Sequence, residues 1–122
     1  MAAREPSIRV ILLPKDTNEA GSIFGGVILS QMDIAGAVEA RKAANKRFVT
    51  VGMKEVAFKK PVFVGDVVSF FTHTLRAGTT SVTVKVVVEV QRRSDPSLYE
   101  VVTEAEITYV AVDERWNPIP IH

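Results

Sequence analysis

The pattern of hydrophobic and polar residues separates one long apolar segment from several short alternating ones along the 122-residue chain. Between Val27 and Ala44, apolar residues occupy nearly every side of a helical projection, which predicts a helix covered on most of its faces. Asp33 lies inside this segment and has no cationic residue three or four positions away. Its carboxylate is therefore either exposed to solvent by accident or held in place for chemistry.

Five segments with the two-residue period of β-strands flank this helix in the sequence. The clearest is Ser81–Gln91, in which alternate valines form one face while Lys85 and Glu89 lie on the other. In the strand after the helix, the alternation changes phase between Met53 and Val56, which predicts a bulge. The remaining predicted strands, in chain order, are Ser7–Leu13, Phe48–Lys60, Val67–Leu75 and Tyr99–Val112.

The order of these elements predicts an α+β fold, in which one antiparallel β-sheet curves around a single long central helix. Consecutive strands with short connections are expected to be neighbours, and the tail Asp113–His122 is expected to cross the surface as a strap. The sheet needs its edges protected, and so apolar a helix needs more cover than one small sheet provides. Both requirements predict a dimer in which edge strands join two sheets into a larger continuous one.

The composition narrows the possible functions. With 15 basic and 14 acidic residues the net charge is +1, so the chain lacks the excess of positive charge that is typical of nucleic-acid-binding proteins. Cysteine is absent, which excludes thiolate metal sites and cysteine nucleophiles, and two histidines far apart in the sequence do not suggest a metal site. The first ten residues lack the apolar core of a secretory signal. We therefore expect a cytoplasmic protein that forms a single domain over residues 1–122, without membrane partners.

Specific motifs add a family resemblance to these patterns. The run DTNEAGSIFGGVILSQMD at Asp16–Asp33 resembles the acyl-CoA thioesterases of the YciA type, which have the hot-dog fold. Two positions depart from that family and bear on acyl-chain preference: Val27 replaces a frequent large aromatic, and Glu55 stands where a small residue is expected. Further matching segments, which extend the resemblance over most of the chain, are Val49–Val51, Phe58–Val62, Val64–Val68, Gly78–Val82, Thr103–Ala105 and Tyr109–Asp113.

The resemblance implies hydrolysis of an acyl-CoA thioester to a carboxylic acid and CoA, with CoA as part of the substrate and no cofactor. Such hydrolysis needs a base or nucleophile, together with hydrogen-bond donors for the developing oxyanion. Asp33 fits the first role, either as general base or as nucleophile. The amides of Gly25 and Gly26, at the helix N-terminus, fit the second. Asn18, whose equivalent acts at the active site of related enzymes, is expected to orient water or to bind the carbonyl oxygen.

Helical geometry limits how these groups work together. Gly26 and Asp33 are seven residues apart, which corresponds to about 10 Å along one helix. They can hardly serve the same carbonyl group from one chain. We therefore predict a site shared across a dimer, in which Asn18 and the glycine amides of one subunit face Asp33 of the other. The resemblance further suggests a trimer of dimers.

Further candidates for substrate binding lie at the helix entrance and in the connections between strands. Backbone amides in turns and nearby cations can bind the phosphates of CoA. The alternative is that they are ordinary surface residues, since Lys and Arg are usually exposed. The complete set of substrate-binding candidates is Phe24, Gly25, Ser30, Lys59, Lys60, Arg76, Gly78, Thr79, Thr80 and Ser81.

Two other functions are compatible with the same fold. The first is a non-catalytic module that binds acyl-CoA, because a fold does not fix a function. The presence of both Asp33 and Asn18 argues against it. The second is a dehydratase that acts on acyl thioesters, which would use a histidine paired with an acid near the helix. The helix segment contains no histidine.

Overall fold

The computed structural model describes residues 4–122, so residues 1–3 of the predicted domain lie outside it. In chain order the described elements are β1 (Ile8–Ile11), a 3-10 turn (Pro14–Asp16), α1 (Gly25–Ala43), β2 (Arg47–Phe58), β3 (Val67–Ala77), β4 (Ser81–Gln91) and β5 (Tyr99–Val112). The helix and all five strands that the pattern predicts are present, and the bounds of β4 and β5 agree with the prediction. Within residues 4–122, no helix combines the length and the hydropathy needed to cross a membrane.

The five strands form one antiparallel sheet in the order β1-β3-β4-β5-β2, with α1 packed against its inner face. The central strand β4 turns alternate valines from Val82 to Val90 towards the interior, and each of them is fully buried. One expectation is wrong, because β2 pairs with β5 at one edge of the sheet and not with the next strand, β3. The segment after β2 is bonded to other parts of the chain: the Lys59 amide donates to the Val102 carbonyl at 2.7 Å. These bonds direct residues 59–66 across the end of the sheet instead of into a hairpin.

The helix buries one side against the sheet and leaves another side uncovered. Ile28, Met32 and Ala35 are almost completely buried, whereas Ile34 is 54% exposed and Val38 is 43% exposed. Aliphatic side chains left in water on an otherwise apolar helix favour association with a second subunit. The uncovered side therefore supports the predicted dimer.

Strand β2 forms one edge of the sheet and carries two register shifts. They lie between Thr50 and Gly52 and between Lys54 and Ala57, and the second is the predicted bulge. Within it, Glu55 has a φ of 55°, in the left-handed region that favours glycine. Glycine, which has no Cβ atom, adopts this conformation with less strain, which gives a physical meaning to the departure from the family pattern at this position.

The C-terminal tail forms the predicted strap over the end of the sheet. The Ile119 amide donates to the Ala111 carbonyl at 2.8 Å, and the Ile121 amide donates to the Thr79 carbonyl at 2.9 Å. The side chain of Ile121 is only 2% exposed. The tail therefore contributes to the hydrophobic core as well as covering it.

A buried ion cluster fixes the segment that crosses from β2 to β3. Arg92 is 7% exposed and donates to Asp66 at 2.8 Å, to Glu100 at 2.7 Å and to the Pro61 carbonyl at 2.8 Å. Hydrogen bonds from Lys60 and Arg92 lower the pKa of the Glu100 carboxyl. Because this folded-state pKa is lowered, the stabilisation is fully present above the unfolded-state pKa and is lost as the pH falls through the folded-state value.

Replacing Asp66 with alanine tests the importance of this cluster. The change leaves a buried guanidinium with one carboxylate partner fewer, so we expect the free energy of unfolding to fall by about 3 kcal/mol. Urea unfolding at a fixed protein concentration measures the change. The matched control is Glu114→Ala at an exposed position, which should change the free energy by less than about 0.5 kcal/mol. Equal unfolding midpoints for the two variants would contradict a stabilising role for the cluster.

Candidate active site

Asp33 lies in the middle of α1 and is held by two hydroxyl groups from the sheet. Thr50 Oγ1 donates to Asp33 Oδ1 at 2.6 Å, and the Tyr109 hydroxyl donates to the backbone carbonyl of Asp33 at 2.6 Å. Thr50 and Tyr109 lie directly opposite each other on β2 and β5. One cross-strand pair thus holds both the side chain and the main chain of Asp33, which favours a carboxylate that is kept in place for chemistry.

The surroundings of Asp33 leave its carboxylate chemically available. Within residues 4–122 it forms no ion pair, and its Oδ2 atom receives no hydrogen bond. Burial raises the pKa of the Tyr109 hydroxyl well above its ordinary value, and the charge and hydrogen bonding of Asp33 act in the same direction. The phenol therefore stays protonated and remains a donor. Oδ2 is free to accept a proton or to attack an electrophile.

The N-terminus of α1 offers two unpaired amides. The helix begins at Gly25, and the amides of Val27 and Ile28 donate to the Phe24 carbonyl at 3.1 and 3.3 Å. Within the described part of the chain, the amides of Gly25 and Gly26 have no acceptor. A Cβ atom added to Gly26 would meet no other atom within 4 Å. The helix dipole and these free donors together form a position at which an anion is stabilised.

Asn18 organises the loop that leads into the helix. Its side-chain oxygen accepts hydrogen bonds from the amides of Ala20 at 2.9 Å and Ser22 at 3.1 Å. Its amide nitrogen donates to Ser22 Oγ at 3.0 Å. Because a carboxamide has two N–H donors, one remains for another partner. The remaining capacity of Asn18 is thus that of a donor, which can bind a carbonyl oxygen or orient a water molecule through its oxygen atom.

A cavity of about 320 Å³ opens beside the helix entrance. The Phe58 ring forms part of its wall and lies 3.2 Å from the position that a Cβ atom of Gly25 would occupy. The cavity brings together three predicted substrate-binding residues: Gly25, Lys59 and Lys60. The other lining residues are Ser22, Ile23, Ile28, Phe58, Pro61, Val62 and Thr103.

Both lysines of the cavity have carboxylate partners. Lys59 pairs with Glu104, and Lys60 pairs with Glu100 at 2.7 Å. The two lysine side chains are 48% and 52% exposed, respectively. Ion pairs this exposed to water contribute little to stability. An anionic ligand can therefore compete with these carboxylates at a small energetic cost.

The predicted turn Gly78–Ser81 lies far from this cavity within one chain. Its last residue pairs with Val110 of β5. The cavity instead lies beside Phe58, which pairs with Thr103 of β5. Thr103 is seven residues from Val110, which corresponds to about 23 Å along β5. The turn is closer to Asp33, since Val82, the residue after the turn, pairs with Tyr109, which bonds to Asp33. The remaining candidates are exposed side chains outside the cavity lining: Phe24, Ser30 and Arg76.

Thr50 and Tyr109 are the groups that sequence reasoning missed. Tyr109 is buried and points inward from β5, and Thr50 lies on the same face of the sheet but is exposed on the edge strand β2. A buried hydroxyl such as that of Tyr109 needs a partner, and the helix turn at Asp33 provides one. Gly36, three residues after Asp33, is a second signal because a glycine inside a helix indicates close approach of another group. Within residues 4–122 the structure shows no cluster of residues that could hold a metal ion.

Comparisons with known proteins place these features in a family. The model of the thioesterase superfamily matches residues 20–96. The acyl-CoA thioester hydrolase YciA of Escherichia coli K12 is 44% identical over 114 residues, which cover 91% of this chain and 86% of that protein. A hexameric hotdog fold thioesterase of Campylobacter jejuni is 43% identical, with a TM-score of 0.91 and coverage of 97% and 90%.

A third comparison concerns a hexameric broad-specificity acyl-coenzyme A thioesterase, solved as an aspartate-to-alanine mutant enzyme. It is 38% identical to this chain, with a TM-score of 0.91, and the match covers 98% of this chain and 88% of the other. The expected hot-dog fold is thereby confirmed. The roles of the individual site residues stay predictions.

Replacing Thr50 with valine tests whether its hydroxyl holds the carboxylate. Valine keeps the shape of the side chain and removes the donor to Asp33, so we expect kcat to fall by about tenfold while the fold is retained. Steady-state thioester hydrolysis measures the change. The control is Thr108→Val, which removes a hydroxyl bonded to Thr83 on the opposite face of the sheet. If both variants turn over at the same rate, the Thr50 hydroxyl does not orient the carboxylate.

Proposed function

The chain belongs to the thioesterase superfamily, and from this membership we propose that it hydrolyses acyl-CoA thioesters to a carboxylic acid and free CoA. The observation within the chain that carries the proposal is Asp33, a carboxylate held by a threonine hydroxyl with one oxygen unoccupied. It lies in the same helix whose first two amides are free to bind an oxyanion. The reaction needs no cofactor, and we place it in the cytoplasm because CoA thioesters are intracellular metabolites.

The chemistry follows one of two routes through the same oxygen atom. In the general-base route, Asp33 Oδ2 takes a proton from water while the water oxygen attacks the thioester carbonyl carbon. Collapse of the tetrahedral intermediate breaks the carbon–sulfur bond, and CoA leaves as a thiolate that takes up a proton. In the nucleophilic route, Oδ2 itself attacks and CoA leaves, after which water hydrolyses the mixed anhydride at Asp33.

The negative charge on the carbonyl oxygen is stabilised at the helix entrance. Fixed donors aimed at a developing oxyanion contribute strongly, because they need no reorganisation during the reaction. The amides of Gly25 and Gly26 supply such donors, and the remaining N–H of Asn18 is a third candidate. Open space at Gly26 allows the thioester to approach the backbone closely. The absence of a side chain is therefore part of the proposed site.

The two halves of this site belong to different subunits in our proposal. The free amides and Asp33 are separated by about 10 Å along one helix, which is too far for one carbonyl group. Strand β2 is an edge strand with Val51 and Phe58 exposed. Antiparallel pairing of two such edges about a point near Lys54 would bring the Thr50 region of one subunit beside the cavity of the other. Three such dimers give the hexamer that is named for the Campylobacter jejuni relative.

The cavity beside the helix entrance is proposed to receive the substrate next to its carbonyl group. Its walls are largely apolar, through Ile23, Ile28, Phe58 and Val62, which suits an acyl chain or the pantetheine arm. Lys59 and Lys60 lie at the same cavity, where their charges can attract the phosphates of CoA. The turn at residues 78–81 can contribute only if a neighbouring subunit brings it to this cavity.

Replacing Asp33 with asparagine tests the proposed function most directly. Asparagine is nearly isosteric and can still accept from Thr50, but it can neither take a proton from water nor act as a nucleophile. We expect the fold and the oligomer to persist while kcat falls by about 100-fold or more. The measurement is release of free CoA thiol from a panel of acyl-CoA chain lengths.

The matched control is Glu39→Gln on the same helix. The Glu39 carboxylate also accepts from sheet hydroxyls, those of Thr72 and Thr74, both at 3.1 Å. It lies six residues further from the helix entrance than Asp33, so its loss should leave kcat within about twofold. Near-normal hydrolysis by folded Asp33→Asn protein would remove this residue from the mechanism. A wild-type protein that binds every tested acyl-CoA without turnover would instead identify a binding module.

A further inference from the structure

The phenol of Tyr109 contacts the chain at the residue on which the proposed reaction depends. Tyr109 is 1% exposed, and its hydroxyl donates to the Asp33 backbone carbonyl at 2.6 Å. This carbonyl is inside α1, where the amide four residues later already satisfies one of its lone pairs. The helix therefore does not need the tyrosine to complete its own hydrogen bonds. The additional bond links the helix to β5 at the position of the carboxylate.

Close packing around this bond leaves the helix little freedom. A Cβ atom on Gly36 would lie 2.2 Å from the Tyr109 hydroxyl oxygen, so only glycine permits the contact. The hydroxyl is therefore confined between the backbone at Gly36 and the carbonyl of Asp33. Its pKa is raised by burial and by the charge of Asp33, so it remains a donor over the whole working range of pH.

The cross-strand partner of Tyr109 holds the other end of the same residue. Thr50 faces Tyr109 across the β2–β5 pair and donates to Asp33 Oδ1 at 2.6 Å. One bond fixes the main chain and the other fixes the carboxylate, so together they define the position and the rotamer of Asp33. Reactions between positioned groups are sensitive to displacements of about 1 Å.

We propose that Tyr109 is a positioning residue for thioester hydrolysis, which sets the placement of the Asp33 carboxylate by bonding to the carbonyl of the same residue in the space that Gly36 provides. This inference rests on the proposed function, because it assigns Tyr109 an effect on catalysis through Asp33. The hydroxyl of Tyr109 bonds to the backbone carbonyl of Asp33, whereas the free carboxylate oxygen is the group that reacts in the proposed mechanism. A purely structural tyrosine would affect stability alone.

The variant Tyr109→Phe keeps the ring and removes only the hydroxyl. We expect kcat to fall by about tenfold with KM nearly unchanged, since the variant displaces a catalytic group and leaves the substrate-binding surfaces intact. The control is Tyr99→Phe, at the only other tyrosine, which lies on the same strand and is 59% exposed. Its kinetic constants should match those of the wild-type enzyme.

A double-mutant cycle separates positioning from general damage. If Tyr109 acts through Asp33, then Tyr109→Phe should not lower the residual kcat of Asp33→Asn any further. Gly36→Ala reaches the same contact from the helix and should also lower kcat. The double variant Gly36→Ala/Tyr109→Phe should lose less kcat than the product of the two single losses predicts, because Tyr109→Phe removes the atom nearest to the new Cβ.

Two results would overturn the inference: an unchanged kcat for Tyr109→Phe, or an equal loss of rate in the Asp33→Asn background. Failure of the proposed function gives a different signature, since the wild-type protein itself would then show no turnover of any tested acyl-CoA.

Discussion

A helix with apolar side chains on most of its sides cannot be covered by one five-stranded sheet, and much of the structure follows from this constraint. The sheet covers Ile28 and Met32, while Ile34 and Val38 on the same helix stay in contact with solvent. The edge strand β2, which bonds to this helix through Thr50 and Asp33, also exposes apolar side chains. A second copy of the chain would cover the helix and complete the edge in one interface. The same association would bring the free amides of one subunit to the carboxylate of the other.

Within one subunit, two sets of contacts prepare the two halves of the proposed site. In the middle of the helix, hydroxyls from β2 and β5 hold Asp33. At the helix entrance, the ion cluster around Arg92 holds the segment that carries Lys60 and Pro61, and this segment forms part of the cavity wall. The ion cluster and the proposed substrate cavity are thus linked through the segment after β2. Substitutions in the cluster should change the shape of the cavity as well as lower the free energy of unfolding.

The sequence predicts the elements and the main groups of the site, because both depend on local patterns. The alternating valines define β4, and the phase change near Met53 marks the bulge in β2. Asp33 stands out as a carboxylate within an apolar helix segment, and the pair Gly25–Gly26 stands out because glycine is a poor helix former. The neighbours of β2 could not be predicted, since they depend on how residues 59–66 bond to distant parts of the chain. Thr50 and Tyr109 were missed for a similar reason: their importance comes from a cross-strand register that no local pattern encodes.

The claim that the site is shared between subunits is tested most directly by mixing two inactive variants. Gly26→Val places a side chain at the helix entrance, where a Cβ atom would meet no neighbour within 4 Å, and Asp33→Asn removes the carboxylate. After subunit exchange, half of the dimers are mixed, and each mixed dimer has one site free of both lesions. A shared site therefore restores about one quarter of the wild-type activity. If the site is shared, an equal mixture of wild-type and doubly substituted subunits should retain about one quarter of the wild-type activity. Sites built within one chain would retain half of it. Mixed dimers that native mass spectrometry detects but that show no activity would contradict the shared site.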